Sequence, residues 1–173
     1  AEVGMHLHAW NSPPTEPLTA DDWRHKPYLI EYSDAMMREK VDYMTHLLED
    51  TFQTKMVSHR AGRWAFDERY ARLLVEHGYQ VDCSVTPRVN WKTAKGAPQG
   101  DGGTDYRRFP QHAYFLDEND ISREGHSPLL EVPMSIQYKH SAWMNSVKQG
   151  YDRLRGKVRS PSVHWLRPMG GNV

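Results

Sequence analysis

The sequence predicts an α/β fold in which parallel strands are joined by crossover helices, as an open sheet or a partial, distorted (β/α) barrel. Three observations predict it. Segments of period two alternate with segments of period 3.6, the helical segments carry their own start and stop residues, and the order strand, helix, strand, helix, strand builds a parallel sheet. At 173 residues the chain makes one domain, 1–173. Too few βα units are visible for a closed eight-fold barrel, which takes about 250 residues.

The first strand is expected over Glu2 to His8, where Val3, Met5 and Leu7 point one way and His6 and His8 the other. A proline-bearing stretch from Asn11 to Pro27 reads as a long surface loop. From Ser33 the period changes. Met37, Val41, Met44 and Leu48 recur at helical spacing, joined by Met36, Tyr43 and Leu47, with Ser33 or Asp34 as N-cap and an end near Phe52. Lys55 to His59 is a short strand. A second helix is bounded by Asp67 as cap and Gly78 as terminator, with Tyr70, Leu73 and Leu74 on one face. Tyr79 to Val85 is a strand, and Pro87 to Asp105 is an irregular excursion rich in Gly and Pro. Strand pieces follow at Phe109 to Leu116 and Leu129 to Ile136. A third helix starts near Ser141 with Trp143, Val147, Tyr151 and Leu154 inward, and Val163 to Leu166 is the last strand.

Composition narrows the function classes. Lys+Arg and Asp+Glu both number 22, so no net charge is present to seek a nucleic acid backbone or an anionic membrane. The longest apolar runs are a few residues, far short of the roughly 20 that cross a bilayer. The single Cys83 excludes an internal disulfide framework and any Cys-based zinc cluster, and it points to a reducing, cytoplasmic location. A transition metal would have to take His and carboxylate ligands.

The motif with most chemistry is Glu2-Val-Gly-Met-His6-Leu-His8-Ala-Trp10. Two His at i and i+2 of a strand project to one face, so both rings can reach one cation; zinc takes imidazole nitrogens and, when catalytic, keeps an open position. The same pattern also describes a strand showing two ordinary His to solvent. His59-Arg60-Ala-Gly62-Arg63-Trp64 puts Arg60 at a strand end, where a guanidinium can hold a carboxylate through two bonds, or can be a plain surface cation. Trp10 and Trp64, beside the two polar motifs, can stack on the apolar face of a sugar ring. Thr19-Ala-Asp21-Asp22-Trp23 reads as a loop turn. The Ser residues lack elbow-type surroundings, so a Ser nucleophile has little support.

Together these segments resemble the polysaccharide deacetylase family. Glu2-Val-Gly-Met-His6 resembles its metal-binding segment. Ser58-His-Arg60-Ala-Gly62-Arg63-Trp64, continuing through Gly78-Tyr79-Gln-Val-Asp82-Cys-Ser84-Val, resembles its next motif and helix-strand unit, and Leu129-Leu-Glu131-Val-Pro133 a later strand. The His-x-His variant is most similar to the deacetylases of lipopolysaccharide O-antigen biosynthesis. The resemblance implies a distorted (β/α) barrel with a divalent metal, most often zinc, acting on an N-acetylated sugar or polysaccharide.

On that resemblance His6 is a metal ligand. The family's second His, four positions on, is replaced by Trp10, and His8 stands in for it. Arg60 is the residue that orients the catalytic base, Trp10, Trp64 and Arg63 are sugar-binding, and His164 is the candidate for the acid that protonates the leaving amine. Asp82 and Ser84 match a motif of structural character. The family's proline after the Arg is absent, with Ala61-Gly62 in its place. Its paired-Asp motif, which supplies the base and a metal carboxylate, should precede Glu2, so the resemblance implies a chain truncated at both ends. Two alternatives stay open: an amidohydrolase of the same fold acting on a non-sugar amide, and a non-catalytic carbohydrate- or metal-binding module.

Overall fold

The computed structural model describes residues 2–138, positions 144, 146, 147, 150, 151 and 154, and residues 163–165. Its helices are α1 (Asp22–His25), one turn inside the proline-bearing loop, α2 (Asp34–Phe52) and α3 (Glu68–Glu76). The two longer ones start where the capping residues put them. Ser33 Oγ accepts from Met36 N at 3.3 Å and Asp67 Oδ1 from Tyr70 N at 2.9 Å, bonds worth about 1 kcal/mol each. After α3, Gly78 takes φ 79°, the left-handed conformation that closes a helix without a Cβ clash. The predicted stripes bury Met37 and Val41 of α2 and Tyr70, Leu73 and Leu74 of α3. Tyr43 and Leu47, read as part of the α2 stripe, are exposed instead.

Five strands make the main sheet: β1 (Ser58–His59), β2 (Val81–Asp82), β3 (Tyr114–Asp117), β4 (Asp120–Glu124) and β5 (Leu130–Glu131), in the order β1-β2-β5-β3-β4. The β1–β2 and β2–β5 pairs are parallel. The expected N-terminal strand is an extended segment on the free side of β1, joined to it by one parallel bridge, Met5 to His59. Met5 N donates to Ser58 O at 2.9 Å, and Met5 O and Leu7 O accept from Arg60 N and Gly62 N, each at 3.0 Å.

The all-parallel expectation needs correction. The β5–β3 and β3–β4 pairs are antiparallel, because the segment read as one strand from Phe109 to Leu116 is the first arm of a hairpin. Its tight turn at Glu118-Asn119 is held by Asn119 N donating to Asp117 Oδ1 at 2.9 Å. Gly125 is needed where the register shifts, since a Cβ there would lie 2.6 Å from Asp117 Cα. The sheet is mixed and open, and no closed barrel forms among the described residues. β6 (Ile136–Tyr138) and β7 (Val163–Trp165) form a separate antiparallel pair, so the last predicted strand exists but is not parallel.

The third predicted helix falls largely outside the described residues, Trp143 included. Its described positions are helical, and Val147, Tyr151 and Leu154, expected inward, are exposed. No helix among the described residues is long and apolar enough to cross a membrane.

Register then decides what lies on each face. Met5, His59, Asp82, Glu131 and Tyr114 form one row across five neighbouring segments. α2 and α3 cover that face, with Thr45 Oγ1 3.8 Å from Met5 Sδ and Tyr70 Oη 2.8 Å from His59 Nε2. The next residue of the first three segments, His6, Arg60 and Cys83, therefore points to the opposite face.

Candidate functional site

The site sits at the carboxyl ends of the parallel segments, where open α/β sheets place their ligands. Met5, Leu7 and Ala9 are buried against the helices, so the alternating partners His6 and His8 emerge together on the other face. Their Nε2 atoms lie 2.9 Å apart, with ring centroids 4.6 Å apart and the planes near perpendicular. His6 Nδ1–H donates to Arg60 O at 2.7 Å, which leaves its Nε2 lone pair as an acceptor. That atom accepts from Arg60 Nη2 at 2.8 Å.

Around the pair the structure gathers the other predicted residues. The Trp10 ring lies 4.5 Å from the His8 ring, and the Arg63 guanidinium 5.8 Å from the Trp10 ring. The Arg60 guanidinium lies 4.6 Å over the Trp64 ring. Arg63 and Trp64 take consecutive left-handed conformations, φ 52° and 59°, which cost non-glycine residues about 1 kcal/mol or more each. Tyr106 Oη donates to Trp64 O at 2.6 Å and holds this turn. His6, His8, Arg60, Trp10, Trp64 and Arg63 are thus contiguous. His164 lies on β7 opposite Gln137, and its side chain is outside the described part.

The electrostatics favour neutral rings. Burial, then the positive charges of His6, Arg60 and Arg63, push His8 down to about 4. His6 is lowered as well, first by burial and further by Arg60, against the opposing bond to the Arg60 carbonyl. Neutral imidazole is the form that binds metals.

As a fit to a divalent ion the pair is suggestive and incomplete. Two imidazole nitrogens on one tetrahedral zinc lie about 3.3 Å apart, close to the observed separation. His6 has the carbonyl partner behind it that metal-binding histidines use, whereas His8 Nδ1 is buried with no partner. Among the described residues no group of three or more His, Cys, Asp and Glu is placed to share an ion.

Gly62 permits this geometry. A Cβ there would lie 2.1 Å from Leu7 O and 3.0 Å from His8 Nδ1. Gly62→Ala should cost about 2 kcal/mol by overpacking and displace the His8 ring. Thermal unfolding and the His8 ring NMR signals check this, and an unchanged melting temperature and spectrum would contradict it.

Behind the site lies a buried network that the sequence did not announce. Asp82 Oδ1 accepts from His59 Nδ1–H at 2.5 Å, while His59 Nε2 meets Tyr70 Oη at 2.8 Å. Ser84 N and Oγ donate to Asp82 at 2.9 and 2.8 Å, and Ser84 Oγ accepts from Ala61 N at 2.8 Å. Glu131 Oε1 accepts from Val85 N at 3.0 Å. Burial opposes ionisation of Asp82, but the bond and charge of His59, then the bonds from Glu131 and Ser84, outweigh it and hold Asp82 below the usual range. Burial and the Asp82 charge beside it push Glu131 well above. Two sequence signals were available: the motif match of Asp82 and Ser84, and a glutamate inside the apolar run Leu129-Leu130-Glu131-Val132.

The two carboxyls act oppositely on stability. Asp82 contributes above its unfolded value near 4 and loses that contribution as pH falls. Glu131, raised in the fold, contributes fully below its unfolded value and loses stability as pH rises towards its folded value, by about 1.4 kcal/mol per pH unit. Glu131→Gln keeps an acceptor for Val85 N and removes that loss. The variant should gain on the wild type between pH 5 and 8 in thermal melts, and parallel pH profiles would refute the assignment.

The Asp21-Asp22 run is the turn its sequence suggested. Asp22 accepts from Leu18 N, Thr19 N, Thr19 Oγ1 and Tyr32 Oη at 2.6 to 3.2 Å. A cavity of about 510 Å3 lined by Asp67, Asp101, Asp105 and Asp120 shares no residue with the His pair. One of about 350 Å3 adjoins the pair through Trp10.

The chain matches no known family and, at a significant level, no curated protein. Among solved structures it is similar to a crystal structure from Mycobacterium smegmatis described as a "putative polysaccharide deacetylase", with 20% identity and a TM-score of 0.41. The likeness covers 62% of this chain and 28% of that one, so the chain spans less than a third of that protein's length.

Proposed function

We propose that the chain carries two ligands of a divalent-metal centre, most simply zinc, in a hydrolase that removes N-acetyl groups from an amino sugar or polysaccharide. The setting we assign is cytoplasmic assembly of O-antigen or another cell-surface polysaccharide. One observation supports this above the others: His6 and His8 converge to 2.9 Å at the carboxyl ends of the parallel segments, with aromatic side chains on both sides.

The chemistry a bound divalent ion supplies is Lewis acidity towards the acetamide oxygen and an acidified water. The chain's own residues position the ligands and the sugar. The Arg60 carbonyl fixes the His6 ring by accepting from its Nδ1–H, and the Arg60 guanidinium, held over Trp64, is the donor nearest the pair. Trp10 and Trp64 offer faces for a sugar ring, and Arg63 braces Trp10. His164 is assigned protonation of the departing amine.

A second reading has its own observation. Arg60 Nη2 already occupies the acceptor position of His6 Nε2 at 2.8 Å, which suits a non-catalytic carbohydrate-binding module. Zinc content and acetate release separate the two. The deacetylase reading expects zinc to co-purify, an anomalous peak between His6 and His8, and chelator-sensitive acetate release from N-acetylglucosamine oligomers. Zinc-supplemented, folded protein that binds these oligomers without releasing acetate would establish the module.

A further inference from the structure

The cavity of about 350 Å3 beside Trp10 is unused by the reaction outlined above. It is lined by Trp10, Thr15, Glu16, Asp21, Trp23 and Lys40 among others, and its size matches the lower range of small-molecule sites. Trp10 is a shared wall, since its ring also contacts His8 at 4.5 Å. Trp23 lines the same cavity and is 55% exposed, so its ring is open to a ligand.

The frame around these rings is rigid. Lys40 is 1% exposed, an unusual place for a lysine, and its Nζ donates to Ser12 O at 2.7 Å and Pro14 O at 2.5 Å. These two bonds, with the Tyr32 ring 5.5 Å from Nζ, fix the buried ammonium behind the cavity lining. Asp22, which accepts three bonds within its turn and a fourth from Tyr32 Oη, ties the loop bearing Trp23 to Tyr32. The Trp10 and Trp23 rings with the Glu16 and Asp21 carboxylates are the kinds of group that recognise the apolar face and hydroxyls of a sugar ring. Glu16, Asp21 and Asp22 outnumber Lys40 in the lining, so a ligand bearing its own acid group is repelled.

We propose that this cavity binds a pyranose ring without acidic groups, the sugar next in the glycan to the one whose acetamide lies at His6 and His8. That the reacting residue lies at the His pair rests on the deacetylase reading; the preference of the cavity for a non-acidic ring does not.

Titration calorimetry of the zinc-supplemented protein with N-acetylglucosamine, its β-1,4 disaccharide and a disaccharide ending in glucuronate tests the proposal. The neutral disaccharide should bind at least about tenfold more tightly than the monosaccharide, and the glucuronate form should lose that advantage. Trp23→Ala should reduce the advantage to below about threefold, and Glu16→Gln should improve glucuronate relative to the neutral disaccharide. An unchanged ratio in folded Trp23→Ala, or no saturable binding of any of the three sugars, would overturn the proposal. Acetate release measured in parallel separates the two ideas. A Trp23-dependent disaccharide preference without acetate sinks the deacetylase reading and leaves the cavity standing. Acetate release with equal use of both neutral sugars does the reverse.

Discussion

Asp82→Ala is expected to destabilise the protein by about 4 kcal/mol, the range found when one partner of a buried pair is removed. For a chain of this size the melting temperature should fall by about 12 °C. His59 would lose the 2.5 Å bond at Nδ1, and Ser84 Oγ its carboxylate partner, both in the buried interior. Tyr70→Phe removes only the outer bond and should cost about 1 kcal/mol. Calorimetric melts at pH 7 measure both. An Asp82→Ala variant that melts like the wild type would show that the row across the sheet contributes nothing. The variant should also loosen the site, because Arg60 follows His59 directly and Ala61 N is held by Ser84 Oγ.

His8→Ala should lower zinc affinity by more than about a hundredfold, the upper range found when only a residue behind a ligand is lost. Acetate release should fall below detection, while the melting temperature of the metal-free protein stays within a few degrees, since His8 bonds only to another surface ring. His6→Ala should act on zinc in the same way and also free the Arg60 carbonyl. Zinc retained at wild-type affinity by both variants would move the metal, if one binds, to another place in the chain.

Helices and their limits were legible in the sequence because they are local. Ser33, Asp67 and Gly78 act within one turn of themselves, and the stripes of Met37, Val41, Leu73 and Leu74 follow from helical period alone. The sharing of one face by His6 and His8 was legible for the same reason, since the alternation of an extended segment needs no partner to express itself. Strand direction was not. Whether Tyr114–Asp117 runs with or against its neighbours depends on the turn at Glu118-Asn119 and on pairing with β5, contacts between distant parts of the chain. The inward face given to Val147, Tyr151 and Leu154 failed because period identifies a stripe without saying what covers it.

The buried network shows the same division more sharply. As letters in the sequence, His59 and Glu131 look like surface residues, and of this network only Asp82 and Ser84 match a motif of structural character. The register β1–β2–β5 sets them side by side, and the helices then exclude water from them. By itself the sequence determined the α/β class, the two capped helices, the two imidazoles on one face and the aromatic company of that face. Only the tertiary structure decided that the sheet is mixed and open, that Arg60 bonds to His6, and that His59, Asp82 and Glu131 share one dry row. Local periodicity is encoded in neighbouring residues, whereas strand pairing and burial arise from contacts that exist only once the chain has closed on itself.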